Sequence, residues 1–160
     1  STTCTTTTTI RTTVTTSMLD PIVCALQDSA ADLRELGFWA DQVIYRRNGS
    51  DVDLVIDGED RRRRLKGERK VLRRAMPDLQ VHSTFHVDPD KGVILEVSRW
   101  SGTTIEVPGS AVAGDRYSYA TCDVYTVRDG RIVRIDSFDD AATARRWSEL
   151  MTHTRLLDAS

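Results

Sequence analysis

The chain has 160 residues, with 22 Lys and Arg against 24 Asp and Glu for a formal net charge of −2. That length suits one domain with a core able to stand alone, and the near balance of charge supplies no basic field for nucleic acid or an anionic membrane. No apolar stretch approaches the roughly 20 residues of a membrane span, and the amino terminus lacks the apolar centre of a secretion signal. Cys4, Cys24 and Cys122 are odd in number and scattered, which points to a reducing cytoplasm and no disulfide framework.

Residues 1–17 are mostly threonine with almost nothing to bury, so they read as a disordered tail. The folded domain is expected over 18–151, with a short tail at 152–160. Asp20-Pro21 supplies a helix start, a capping carboxylate with proline at the first helical position, and Ile22, Leu26, Ala30 and Leu33 follow at helical spacing. Gly37 breaks that pattern, and Phe38-Trp39-Ala40-Asp41 leads into a short strand over 42–46. Val52, Leu54 and Ile56 then alternate with Asp51, Asp53 and Asp57 up to Asp57-Gly58, which predicts a small hairpin with residues 61–64 in its return. The four arginines of that return, flanked by Glu59, Asp60 and Glu68, read as a solvated, self-neutralised face rather than a phosphate site.

A second helix is expected over 66–76, with Leu65, Leu72, Ala75 and Met76 on one side and its arginines and lysine on the other, ending at Pro77-Asp78. Strands over 79–87 and 93–100 are joined through Asp88-Pro89-Asp90-Lys91-Gly92, and 102–114 is a loop rich in Gly, Thr, Ser and Pro. A long strand over 117–127 turns through Arg128-Asp129-Gly130-Arg131 into a last strand over 132–138. A final helix runs from a cap at Asp139 or Asp140 through Ala144, Trp147 and Met151. Helices cluster early and consecutive antiparallel strands late, which is an α+β arrangement.

The strand over 117–127 carries the strongest chemical signal. Alternation puts Tyr117, Tyr119, Thr121, Asp123 and Tyr125 on one face, and Ser118, Ala120, Cys122, Val124 and Thr126 on the other. A face with three tyrosines, a threonine and a carboxylate is too polar for a core and too aromatic for a solvent face. It reads as a pocket wall, where burial raises the pKa of an Asp and fits it to act as acid, base or hydrogen-bond donor. The competing reading is an exposed strand with flat tyrosines and a solvated Asp123.

The series Phe38-Trp39-Ala40-Asp41-Gln42-Val43-Ile44-Tyr45, Leu65-Lys66-Gly67-Glu68-Arg69, Met76-Pro77-Asp78-Leu79-Gln80-Val81 and Arg128-Asp129-Gly130-Arg131-Ile132-Val133 resembles the SnoaL-like polyketide cyclases. These belong to the superfamily of nuclear transport factor 2, ketosteroid isomerase and limonene epoxide hydrolase. Over roughly residues 20–150 the resemblance implies a curved antiparallel sheet wrapped by helices into a cone (a cystatin-like α+β barrel) with a deep apolar pocket. It also implies a hydrophobic small-molecule substrate and, with a broad outer sheet face left to cover, a homodimer.

The stretch Cys122-Asp123-Val124-Tyr125-Thr126-Val127 is similar to the ketosteroid isomerase strand that bears the oxyanion-hole aspartic acid, an enzyme that serves as the standard example of a carboxylic acid kept protonated in an apolar site. The resemblance thus makes Asp123 the expected catalytic acid. The position of that enzyme's base falls near Arg47, and an arginine cannot be a base, so steroid-type isomerisation is not expected. The Arg-Asp-Asp set of limonene epoxide hydrolase is not clearly reproduced either.

Several further residues are candidates. Asp136 is a second catalytic carboxylate if a bulge turns it inward; otherwise Ile135 and Ser137 face the pocket and Asp136 is solvated. Tyr45, Trp100, Tyr117, Tyr119, Thr121 and Tyr125 are candidate substrate contacts, with Glu96 and Ser98 on the face of Trp100, which stacks on a flat ligand or serves a dimer surface. Arg99 is a candidate for neutralising an anion, with a surface role as the bland reading. His82 and His86 lie four apart on a strand, a span of about 13 Å, which separates them too far to chelate one metal. With no Gly-rich phosphate loop, nucleophile elbow or Cys/His set, no metal and no cofactor is expected. The functional expectation is a cyclase or isomerase of a polyketide-type molecule in the biosynthesis of secondary metabolites such as antibiotics. A non-catalytic small-molecule-binding or protein-interaction module of the same fold stands as the alternative.

Overall fold

The computed structural model describes residues 18–27, 34–50, 53–105, 114 and 116–140, together with isolated positions 142, 145, 148, 149, 152 and 154. Helix α1 (Asp20–Gln27) buries Ile22, Val23, Ala25 and Leu26 on one stripe, as the periodicity predicts. The continuation through Ala30 and Leu33 lies outside the described residues. A 3₁₀ turn, Arg34–Phe38, delivers the chain to β1 (Trp39–Arg47), which starts three residues before the expected strand because buried Trp39 already pairs with the sheet.

The expected hairpin over 48–64 does not form. Strand β2 (Leu54–Asp57) pairs with β1 itself, and residues 61–64 lie inside helix α2 (Gly58–Ala75). A two-residue Asp-Gly hairpin needs positive φ at both positions, whereas Asp57 has φ −63°. Its carboxylate instead caps α2, accepting from the Glu59 amide at 2.8 Å and the Asp60 amide at 3.3 Å. Glu59 and Asp60 in the first turn and Arg73 and Arg74 in the last complement the helix dipole. The helix can begin only at a glycine, because a Cβ on Gly58 would sit 2.5 Å from the Ala40 carbonyl oxygen.

The sidedness of α2 also differs from the simple amphipathic reading. Arg62 turns inward and donates to the Leu36 and Trp39 carbonyls at 2.9 and 3.0 Å, and Arg61 lies over the Tyr45 ring. Arg63 and Arg64 are exposed, as expected of a solvated run.

Strands β3 (Gln80–Asp88), β4 (Val93–Thr103), β5 (Arg116–Arg128) and β6 (Arg131–Phe138) follow, and β4 runs three residues past its expected end because it stays paired with β5. The six-stranded sheet has the order β2-β1-β6-β5-β4-β3 and is antiparallel except where β1 runs parallel to β6. The β5–β6 turn forms as its sequence predicts, with Asp129 at φ 50° and Gly130 at φ 70°. Register shifts at Trp39/Ile44 and at Thr126/Val127 add the local twist that curves a sheet.

Two apolar clusters fill the concave side. One joins α1, Leu36, Trp39 and Val43 to Ile94, Tyr125, Val127, Ile132 and Ile135; the other joins Leu72, Ala75 and Met76 to Tyr117. On the convex side Val97 pairs with Cys122 and Cys122 with Phe138, leaving Val97 and Phe138 42% and 43% exposed. His82 and His86 are exposed on β3.

Positions 142, 145, 148, 149, 152 and 154 are helical, with the Thr152 hydroxyl donating to the Ser148 carbonyl at 2.8 Å. Ala144, Trp147 and Met151 themselves lie outside the described residues. Thr154 is fully buried. Cys24 is disulfide-bonded, while Cys122 is free. This corrects the expectation of unpaired thiols; separation along a chain does not report distance in space.

The two glycines of α2 should respond oppositely to alanine. Gly58→Ala forces the β1 backbone away and is expected to cost about 1–3 kcal/mol. Gly67, exposed in mid-helix with nothing within 4 Å of a built Cβ, should give a gain of about 0.5–1 kcal/mol as alanine. Urea unfolding of the two variants checks both signs.

Candidate active site on the inner face of the sheet

Antiparallel pairing sets side chains from neighbouring strands into rows across the concave face. One row runs Phe85, Glu96, Asp123, Ser137; the next runs Val87, Ile94, Tyr125, Ile135 and, across the parallel pair, Tyr45. Beyond Glu96 come Ser83, Ser98 and Thr121, then Val81, Trp100 and Tyr119, and at the far end Gly102 beside Tyr117. The polar residues therefore form a belt between the two apolar clusters.

Glu96 is the centre of that belt and is only 5% exposed. Its Oε1 accepts from the Ser83 and Ser98 hydroxyls at 2.8 and 3.0 Å, and its Oε2 from the Tyr125 hydroxyl at 2.9 Å. A buried carboxylate needs such donors to persist. Burial and the adjacent Glu96 push the Tyr125 phenol well above its ordinary pKa, so it stays a donor.

Asp123 stands beside Glu96 on the same face, accepting a hydrogen bond from the Ser137 hydroxyl. Desolvation raises its carboxyl from the ordinary 3.8 to about 6; the Ser137 bond opposes the rise, and the charges of Glu96 and Asp139 add to it. A carboxyl at about 6 is ionised at neutral pH yet close enough to exchange protons readily.

Trp100 and Tyr119 stack with ring centres 5.8 Å apart and planes 7° from parallel, and Tyr117 meets Tyr119 edge-on at 5.3 Å. The Trp100 indole N–H donates to the Thr121 hydroxyl at 3.2 Å. Burial raises the Tyr119 phenol far above its ordinary value. Tyr125 and Ile135 belong to the apolar cluster and Tyr45 packs against it, so these three line the closed end of the wall rather than its polar middle.

Asp136 is a correction. Ile135 and Ser137 pair with inward-facing Tyr125 and Asp123, so Asp136 lies on the outer face opposite Val124. There Arg134 grips it with two bonds of 2.8 and 2.9 Å and reaches Asp53, which Arg46 also holds. The irregularity in β6 falls near Val127, too early to turn Asp136 inward. Arg47 pairs with Asp139 at 2.6 Å at the rim, and Arg99 is exposed on the outer side of β4.

Two residues were missed as site members. Glu96 was placed on the right strand face, but only the register with Asp123 makes it a cross-strand neighbour. Arg69 was assigned to the solvent side of its helix, yet it follows Leu65 by four and precedes Leu72 by three, the spacing of a shared inward face. Its guanidinium lies 4.7 Å from the centre of the Trp100 ring.

A separate groove of about 890 Å³ runs along the 3₁₀ turn, the start of β1 and the first turns of α2, lined by Leu36, Trp39, Arg62, Lys66 and Arg131 among others. None of the belt residues lines it. Among the described residues no three His, Cys, Asp or Glu are grouped to hold a metal ion, and no helix is long and apolar enough to cross a membrane.

The architecture is that of the nuclear transport factor 2-like folds, and residues 28–135 match the SnoaL-like domain family. The chain belongs to that family. Among solved structures, it is similar to a candidate polyketide cyclase from Xanthomonas campestris pv. campestris, with TM-score 0.59 and 14% identity over 83% of this chain and 96% of that one. It is likewise similar to IdmH, a candidate polyketide cyclase from Streptomyces antibioticus, with TM-score 0.57 and 19% identity over 81% and 96%. A phenazine biosynthesis-related protein from Pseudomonas aeruginosa superposes with TM-score 0.55 and 16% identity over 82% and 85%. At these identities the likeness is one of fold. No curated protein matches the sequence.

The raised pKa of Asp123 has a stability consequence of definite sign. The folded state binds this proton more tightly, so between pH 3.8 and about 6 stability falls as pH rises, and above that the ionised carboxylate costs about 3 kcal/mol. Asp123→Asn should therefore be more stable than the parent by about 1–3 kcal/mol at pH 8, with the gain shrinking to nothing near pH 4. Denaturant titrations at the two pH values measure it.

Proposed function

We propose that this chain is a cyclase or isomerase of a polyketide-type small molecule in secondary-metabolite biosynthesis, with Asp123 as the acid–base group. The observation that carries the reading is the Asp123 carboxyl on the inner wall, held by Ser137 and raised to about 6. As a carboxylate it takes a proton from a carbon activated by neighbouring carbonyls. The carbanion closes on a second carbonyl within the same molecule, and the carboxyl returns its proton to the oxygen so formed. No net proton is consumed. The Trp100–Tyr119 surface, with Tyr117 at its end, supports a flat carbon skeleton and orders its reacting ends. The reading makes the protein a homodimer, joined through the convex patch at Val97 and Phe138.

Ring closure of a linear poly-β-ketone, followed by absorbance, tests the chemistry. Asp123→Asn is expected to lower kcat by roughly 10²–10⁴ fold, and kcat/KM of the parent should rise with pH through an inflection near 6. Unchanged turnover in the variant would overturn the role of Asp123, whereas no turnover by the parent would instead support a module that binds its ligand without transforming it.

The dimer is tested by sedimentation. The parent should sediment as a dimer at tens of micromolar, and Phe138→Lys as a monomer, because a charge there faces its own copy across a symmetric interface.

A further inference from the structure

The inner surface of α2 carries a half-buried cation that no described carboxylate contacts directly. Leu65 packs on one apolar cluster and Leu72 belongs to the other, so Arg69 between them faces the polar belt. Its guanidinium lies over Trp100 at 4.7 Å. Desolvation dominates its environment and lowers its pKa, opposed by Glu35 and more weakly by Glu96 acting at a distance. A guanidinium stays charged all the same.

Among the described residues, none accepts a hydrogen bond from Arg69 or pairs with it. Of the carboxylates that act on it, Glu96 is occupied by Ser83, Ser98 and Tyr125 and Asp123 by Ser137, while buried Glu35 acts through its charge from beyond ion-pair distance. Arg62, on the same helix, shows the contrast, since its guanidinium donates to the Leu36 and Trp39 carbonyls and to the Glu59 carboxylate. A cation–π contact offsets only part of the cost of burying a charge. The remaining donors suit an anion brought from outside.

We infer that Arg69 is the anion-recognition residue of this site and that the ligand is a flat, unsaturated carboxylic acid, its carboxylate held by the guanidinium fork and its carbon skeleton against Trp100 and Tyr119. The planar fork matches the two oxygens of a carboxylate, and the aromatic pair beside it matches a conjugated skeleton. The inference rests on the proposed reading of this wall as a ligand site and names the class of ligand.

The test is calorimetric titration of the full chain with 2-naphthoate and with neutral 2-naphthamide, which share a skeleton and differ in charge. The acid should bind about ten- to a hundredfold more tightly than the amide. Arg69→Gln should abolish that preference, Arg69→Lys should retain part of it as charge without the fork, and Arg63→Gln, exposed on the other side of α2, should leave it intact. Arg69→Gln should unfold at or above the temperature of the parent, because it removes a buried charge; if it fails to fold, the loss is read from Arg69→Lys. Equal binding of acid and amide overturns the inference, as does no binding of naphthoate at millimolar concentration or a full preference surviving in either Arg69 variant. Asp123→Asn separates the two readings: kept preference with full turnover overturns acid–base catalysis alone, while lost turnover with no preference in the parent overturns Arg69 alone.

Discussion

The long pairing of β4 with β5 is the constraint from which the site follows. Eleven residue pairs run from Val93 with Thr126 to Thr103 with Arg116 without a slip. Because side chains alternate, a shift by one residue would send Glu96, Ser98 and Trp100 to the convex face together. The register thus fixes as one decision which carboxylates are neighbours, which rings stack and which hydroxyls are within reach. The apolar rows at either end, Ile94 with Tyr125 and Gly102 beside Tyr117, hold that decision in place: a slip would expose one cluster and bury polar groups without partners.

The belt between the clusters is costly. Three hydroxyls are spent on Glu96, and Asp123 still carries a raised pKa. Apolar side chains of like size would give a more stable wall. Native structures accept such costs chiefly at sites that bind or transform something, and here the unfavourable groups converge while the apolar residues surround them. On the opposite face the ion pairs of Arg134, Asp136, Asp53 and Arg46 are partly exposed and satisfied among themselves, an arrangement typical of surface charge.

Much of this was legible in the sequence. The alternation in β5 placed Tyr117, Tyr119, Thr121, Asp123 and Tyr125 together because strand periodicity is rigid, and Asp129-Gly130 announced its turn because few residues accept positive φ. Asp57-Gly58 misled for a related reason. The same dipeptide serves a hairpin or a helix cap, and the choice lay in the acidic first turn that follows and in the space beside Ala40. Asp136 depended on a single-residue register that no local pattern encodes. Arg69 was hidden by chemistry: an arginine counts as surface by default, and its inward spacing matters only once Trp100 is known to stand opposite. The bond between Asp123 and Ser137 joins residues whose strands are linked by a short hairpin, whereas the company of Glu96 required pairing across a long loop.

The strand order carries one more implication, for how the chain comes into being. Strand β1 has β2 on one side and β6 on the other, so the first strand of the sheet receives its second neighbour only from residues 131–138. Until that segment leaves the ribosome, Val43 and Ile44 have no β6 backbone to bond. Ile132 and Ile135 of the larger cluster are likewise still unmade. Contacts of such sequence separation close slowly, because loop entropy is lost before any pairing compensates it. The nascent chain therefore carries an open strand edge and an uncovered apolar stripe through most of its synthesis, the period in which aggregation and chaperone binding compete most strongly with folding.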